Sequence, residues 1–297
     1  MGAGVGPTTQ ATTQATTEPA TEPATLPCWL FDLDGVVWLA GEPIPGSSAA
    51  ITRLVEAGRR VAYFTNNSSA RRSEQLAKLR RVGLEVDDLD LLSSAEAAAE
   101  LCEPGERALV LGGPGISESL TARGVAVLDA SDARPREVVD VVVVGIDFSL
   151  DAARLAAAVR AVRAGARLVG TNDDATFPTP DGPLAGGGAI LAAVAYGAGT
   201  TPVVAGKPYP ASIALARRRL GTIDVVVGDR ASTDGALARG LGARFALVLS
   251  GVTAPDHGPL DPEPDVEAAD VAELVDRFAD DELAVGDHGR APGASAG

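Results

Sequence analysis

Eight short apolar runs recur along the chain: CWLFDL, RVAYFTNN, RALVLGG, VVDVVVVGID, ARLVGTND, PVVAGKP, IDVVVGD and RFALVLSG. Between them lie segments whose apolar residues return every three or four positions, the period of a helix packed on one side. In SSAAITRLVEAG the residues Ile51, Leu54 and Val55 share a face and Gly58 supplies the stop; in DAARLAAAVRAVRAG the stripe is Leu155, Val159 and Val162, ended by Gly165. Strands that alternate with helices in this way predict an α/β fold of the doubly wound class, with parallel sheets covered by helices. The 297 residues suffice for one large domain or two smaller ones.

Sheets of that class bind ligands beyond the carboxyl ends of their strands, and the unusual polar residues stand there. Asp32 and Asp34 end the first run, Thr65-Asn66-Asn67 the second, Lys207 follows PVVAG, and Asp229 follows IDVVVG. A strand continued through CWLFDLDGVVW sends Asp32 and Asp34 to one side and Leu33 to the other. Two like charges then share one site, which calls for a cation, a proton or open solvent. With Asp229 they make three oxygen donors suited to Mg²⁺. Beside such a cation Asp32 is placed to attack phosphorus and Asp34 to transfer protons. Thr65 and the amides around it are candidate phosphate donors, and Lys207 brings the positive charge that the transition state requires. Gly35 and Gly228 are expected to let the backbone approach the ligand.

Composition removes several other chemistries. A net charge of −15 argues against nucleic acid, whose phosphates are bound through clustered Lys and Arg. No apolar run reaches the length of a membrane span and the N-terminus carries no secretory pattern, so a cytoplasmic protein is expected. Cys28 and Cys102 are too few for a disulfide framework or a cysteine zinc site. CEPGER has one residue too few between Cys102 and Arg107 for a tyrosine-phosphatase loop, which makes Cys102 a core thiol. The two histidines, His257 and His288, lie in a Pro/Gly/Asp-rich stretch near the C-terminus, so histidine triads and phosphohistidine chemistry are not expected and the chemistry is expected to run on carboxylates. Residues 8–25, TTQATTQATTEPATEPAT, have no apolar periodicity. Segments 1–27 and 281–297 are therefore expected to be disordered tails.

The motifs DxD, TNN, GKP and GDxxxTD, each closing an apolar run and in this order, resemble those of class IIA phosphatases of the haloacid dehalogenase superfamily, over roughly residues 28–255. That group includes nitrophenyl phosphatases, pyridoxal phosphatase, phosphoglycolate phosphatase and bacterial nucleotide phosphatases. By its pattern FDLDGVVW supplies the nucleophile Asp32 and the acid/base Asp34, FTNNS supplies Thr65 and Asn66, GKPYP supplies Lys207, and VVGDRASTD supplies Asp229 and Asp234. The resemblance implies Mg²⁺ held by Asp32, the backbone carbonyl of Asp34 and Asp229, with Asp234 supporting Lys207 or the outer metal shell. It also implies a large α/β cap, at residues 101–198, inserted into a catalytic core formed by residues 28–100 and 199–280.

The expected function is a Mg²⁺-dependent phosphomonoesterase for small organic phosphates, working through an aspartyl phosphate. The family's specificity loop matches Gly170-Thr171-Asn172-Asp173, so Asn66, Asn67, Asn172 and Asp173 join Thr65 as expected phosphate or substrate contacts. Phe177 and Pro178 are expected to shape the same wall. A homodimer through the cap is the expected assembly. Two alternatives stand: a phosphotransferase or mutase on the same fold, and a nucleotide-binding protein suggested by Gly112-Gly113-Pro114-Gly115, which departs from the usual glycine fingerprint.

Overall fold

The computed structural model describes residues 1–2, 28–134, 137–179 and 181–286. The low-complexity tract at 8–25 and residues 287–297 lie outside the described residues. Two parallel sheets dominate the described residues, beside two short antiparallel pairs, Trp38–Leu39 with Glu42–Pro43 and Thr176–Phe177 with Leu184–Ala185. The first has six strands in the order Val266–Ala268, Arg244–Val248, Ile223–Gly228, Cys28–Phe31, Arg60–Thr65 and Leu91–Ser93. The second has five, in the order Val203–Val204, Arg167–Gly170, Val141–Val144, Arg107–Leu111 and Ala126–Asp129. Every pairing within them is parallel.

Alternation of side chains explains why both faces of the first sheet are dry. Cys28, Leu30, Ala62, Phe64, Val226 and Leu247 point to one face. Trp29, Phe31, Tyr63, Val225, Val227 and Val248 point to the other. The first of these clusters continues into Ala108, Val110, Val141, Val143 and Val169 of the second sheet, so the two sheets share one apolar core. Leu109, Leu111, Val142, Val144 and Leu168, on the far face of the second sheet, pack on helices Ala152–Arg163 and Gly187–Ala198.

Several sequence expectations shift at their edges. The first strand ends at Phe31, and Asp32 and Asp34 occupy the turn after it, where Val37 and Trp38 both donate to the Leu33 carbonyl. The short strand Val203–Val204 pairs with Arg167–Gly170, so the chain returns to the first sheet after Val204 and not at residue 199. Helix Val271–Gly286 runs past residue 280, where the sequence reading ends the ordered core. In helix Ser47–Glu56, Ile51 and Leu54 are buried as expected while Val55 is exposed. Strands Leu91–Ser93, Ala126–Asp129 and Val266–Ala268 escape the sequence reading because each is short and leads directly into polar or helical residues. No helix among the described residues is long and apolar enough to cross a membrane.

Candidate active site

A pocket opens between the sheets at the strand ends, and Asp32, Asp34, Thr65, Asn66, Lys207 and Asp229 all line it. At its floor the Lys207 ammonium lies 2.8 Å from Asp32 and 2.7 Å from Asp234. Asp229 is fixed from behind, its carboxylate accepting from the Val252 amide at 2.7 Å and its carbonyl from the Thr253 hydroxyl at 2.5 Å. Oxygens of Asp32, Asp229 and Asp234 lie within 4.8 Å of one another.

Three carboxylates face one ammonium here, and the titration of the groups reflects it. Burial pushes Asp32 well above the ordinary carboxylate range; Lys207 pulls it down, while Asp234 and Asp229 push it further up. Asp229 rises to about 6 through burial and the nearby charge of Asp234. Burial works against the charge on Lys207, yet Asp234 and Asp32 outweigh it and leave the ammonium more firmly protonated than usual. A cluster of hard oxygen donors whose negative charge exceeds the local positive charge fits a small divalent cation.

The sequence reading named Asp34 among the three acids. Its carboxylate stands outside that cluster, where it accepts from the Trp38 indole at 3.0 Å and faces the pocket. Asp234 takes its place in the carboxylate group while also holding Lys207. The two glycines make room for these acids, and Gly35 also lines the pocket. Gly35 has φ of +85° and a Cβ there would meet Asp229 Oδ2 at 2.3 Å; a Cβ on Gly228 would meet the Asp234 Cβ at 2.2 Å.

Thr65 is buried and its hydroxyl oxygen accepts from the Asn67 amide at 3.0 Å, which leaves its proton for the pocket. The three asparagines Asn66, Asn67 and Asn172 line the pocket and are each held by hydrogen bonds within the protein. Asn66 accepts from the Lys207 amide and donates to the Lys207 carbonyl and to Asp174, so its side chain joins the two sheets at the pocket wall. Asn67 accepts from both the amide and the hydroxyl of Ser69, which shapes its own turn. Asn172 donates to the Asn66 carbonyl and accepts from the Asp174 amide.

Asp173 bonds the Tyr209 hydroxyl and does not line the pocket, whereas its neighbour Asp174 does. Asp174 is paired at 3.1 Å with Arg230, another pocket residue. Sequence reasoning missed both. Asp174 is one residue beyond the loop it drew, and Arg230 directly follows Asp229 in GDR, a position that was the available signal. Phe177 and Pro178 do line the wall, with Ile146 and Leu39.

Other candidates fall away. Cβ atoms on Gly113 and Gly115 would strike Ser69 and the carbonyls of Ser68 and Ala70, so the glycine loop is filled by the chain itself and cradles no nucleotide. Burial raises the Cys28 thiol to about 12 and Cys102 to about 11, so neither is a nucleophile. His257 pairs with Glu267 away from the pocket, and His288 lies outside the described residues.

Comparison with known proteins places this geometry. A family model described as haloacid dehalogenase-like hydrolase matches residues 29–126, and a second, HAD-hydrolase-like, matches residues 204–274. The acid sugar phosphatase of Staphylococcus saprophyticus is 37% identical over 212 residues, which are 69% of this chain and 80% of that protein. The D-glycerol 3-phosphate phosphatase of Mycobacterium tuberculosis is 36% identical over 231 residues, 76% of this chain; the chain spans 63% of the length of that relative. The crystal structure of a glycerol phosphate phosphatase from the same organism in complex with magnesium superposes with a TM-score of 0.74 at 33% identity, covering 84% of this chain and 76% of the other. The chain belongs to the haloacid dehalogenase-like hydrolases.

Proposed function

We propose that the protein is a Mg²⁺-dependent phosphomonoesterase that hydrolyses small organic phosphates through a phosphorylated Asp32. The observation that carries this reading is Lys207, buried and bridging Asp32 and Asp234 at the floor of a pocket ringed by carboxylates. Relatives named for glycerol phosphate and sugar phosphates support a small polyhydroxylated substrate. Asp32, Asp229 and the backbone carbonyl of Asp34 would hold the metal, a choice supported by the oxygen donor set and by the magnesium complex of the structural relative. When bound, Mg²⁺ offsets the negative charge of the carboxylates and the phosphate.

Lys207 orients the Asp32 carboxylate and keeps it from stacking its full charge against Asp229 and Asp234. Asp32 attacks phosphorus while Asp34 gives a proton to the departing oxygen. Water then attacks the aspartyl phosphate, its proton passes to Asp34, and inorganic phosphate leaves. Thr65 donates to a phosphoryl oxygen throughout. Leu39, Ile146, Phe177 and Pro178 screen this chemistry from bulk water. The reading includes a cytoplasmic location and a homodimer through the second sheet, the latter supported by exposed Tyr196 and Val203 near its edge strand; sedimentation of the purified chain checks the dimer.

Rapid mixing with ³²P-labelled ester and an acid quench tests the central step. Label on Asp32, lost in Asp32→Asn and absent after chelation, is the expected result; label elsewhere, or turnover undiminished by a chelator, would overturn it. Release of inorganic phosphate with no added acceptor separates hydrolysis from phosphotransfer.

A further inference from the structure

Trp38 is nearly completely buried and does not line the pocket, yet its one polar atom is spent on a pocket residue: the indole Nε1 donates to Asp34 Oδ1 at 3.0 Å. Packing alone needs no such bond, since phenylalanine would fill the same apolar cluster. The backbone is wound to make it. Val37 and Trp38 amides both turn back on the Leu33 carbonyl, and the Gly35 amide donates to the Trp38 carbonyl at 2.6 Å, which folds the indole over the residue four places earlier. On the ring face the Lys78 ammonium sits 3.8 Å from the centroid, a cation–π contact that fixes the ring's tilt.

We propose that Trp38 is a positioning residue for proton transfer, its indole N–H holding Oδ1 of Asp34 so that Oδ2 alone carries the proton to the leaving group and takes it from water. The inference rests on the acid/base role given to Asp34 above. An indole N–H donates and cannot accept, so the oxygen it binds is the carbonyl-like one of the protonated acid and the hydroxyl falls on the other. In the first step the Asp32–phosphorus bond forms, the phosphorus–leaving-group bond breaks, and the proton on Oδ2 moves to the departing oxygen. In the second, water adds to phosphorus, its proton returns to Oδ2, and the Asp32 carboxylate is released. One oxygen thus serves both directions without rotation of the side chain.

Trp38→Phe keeps the ring and removes the donor. Measured as kcat/KM over a series of aryl and alkyl phosphate esters of rising leaving-group pKa, it is expected to lose about tenfold on glycerol phosphate and less than about twofold on nitrophenyl phosphate, which needs little protonation. In an Asp34→Asn background the same change should add nothing on glycerol phosphate. Equal loss across the series, or a loss that persists in that background, would overturn the proposal. A second readout is independent of turnover and of whether Trp38→Phe folds. The chain has two tryptophans, so a ¹⁵N spectrum carries two indole signals. Asp34→Ala should move that of Trp38 and leave that of Trp29; an unmoved Trp38 signal would overturn the proposal. A parent chain that releases no phosphate would instead remove the phosphatase reading, and an Asp34→Asn variant as active as the parent on glycerol phosphate would remove the acid/base role of Asp34; this inference falls with either.

Discussion

The ammonium of Lys207 lies 2.7 Å from Asp234 with the two side chains only 2% and 1% exposed, so each charge depends on the other for its burial. Removing one member of a buried pair costs about 3–5 kcal/mol, because the survivor is left without compensation. Lys207→Met strands Asp234 and also takes from Asp32 its 2.8 Å partner. The carboxylates can take up a proton, which puts the expected loss at the lower end, about 3 kcal/mol at pH 7.5 without metal. Urea unfolding should recover part of that loss when Mg²⁺ is added, and turnover should fall by orders of magnitude. A Lys207→Met chain as stable as the parent would mean that the pair contributes nothing to the fold.

Proton and metal should compete at the same carboxylates. Asp229 is raised to about 6 by burial and by Asp234, and Asp32 is raised as well. For a carboxyl group with a raised folded-state pKa, its contribution to stability is fully present below the unfolded value and is lost as pH rises through the folded one. At Asp229 the metal-free chain therefore loses this contribution between about pH 4 and 6. Mg²⁺ requires the ionised form, so its apparent affinity should fall at least about tenfold per pH unit below 6. Calorimetric titration at a series of pH values checks the slope, and the Mg²⁺-induced rise in Tm should be larger at pH 7.5 than at pH 5.

What the sequence revealed and what it hid divide along a physical line. Asp32, Thr65, Lys207 and Asp229 were legible because each ends an apolar run, and a parallel sheet must bring its strand ends together. The site's inner wiring was not, because it depends on turns. Whether Asp34 turns toward the cluster or toward Trp38 is decided by hydrogen bonds to the Leu33 carbonyl, which no periodicity encodes. Val252 contributes a backbone amide to Asp229, invisible in a side-chain pattern. The assignment of Val203–Val204 to the second sheet is likewise a matter of pairing, since a two-residue strand has no signature of its own.

The loop along the pocket wall gives a contrast between neighbours. Asp174 accepts from Arg230 at 3.1 Å and from Asn66 at 3.2 Å and lines the pocket, whereas Asp173 holds Tyr209 outside it. A hydrogen bond to a charged group is worth about 1.5–3 kcal/mol, or roughly tenfold to a hundredfold in rate if expressed in catalysis. Asp174→Ala should therefore change the ratio of kcat/KM for glycerol phosphate over nitrophenyl phosphate by about tenfold. Asp173→Ala should leave the ratio within about twofold. The opposite pattern would return specificity to Asp173.

Gly35 and Gly41 separate backbone strain from site geometry. Both are left-handed, at φ of +85° and +94°, where a side chain costs about 1–2 kcal/mol. A Cβ on Gly41 meets nothing within 4 Å. A Cβ on Gly35 would meet Asp229 Oδ2 at 2.3 Å and its Cγ at 2.6 Å, and Asp229 has little freedom to yield because the Val252 amide holds the same oxygen at 2.7 Å. Gly41→Ala should lower stability by about 1 kcal/mol and leave Mg²⁺ affinity and kcat unchanged. Gly35→Ala should cost more than that and weaken Mg²⁺ binding by about tenfold or more, since it displaces a carboxylate proposed to hold the metal. Urea titrations and Mg²⁺ titrations of the two variants side by side make the comparison. If Gly35→Ala bound Mg²⁺ as tightly as Gly41→Ala, the carboxylate packed against Gly35 would not be a metal ligand, and the site would have to be redrawn around Asp32 and Asp234.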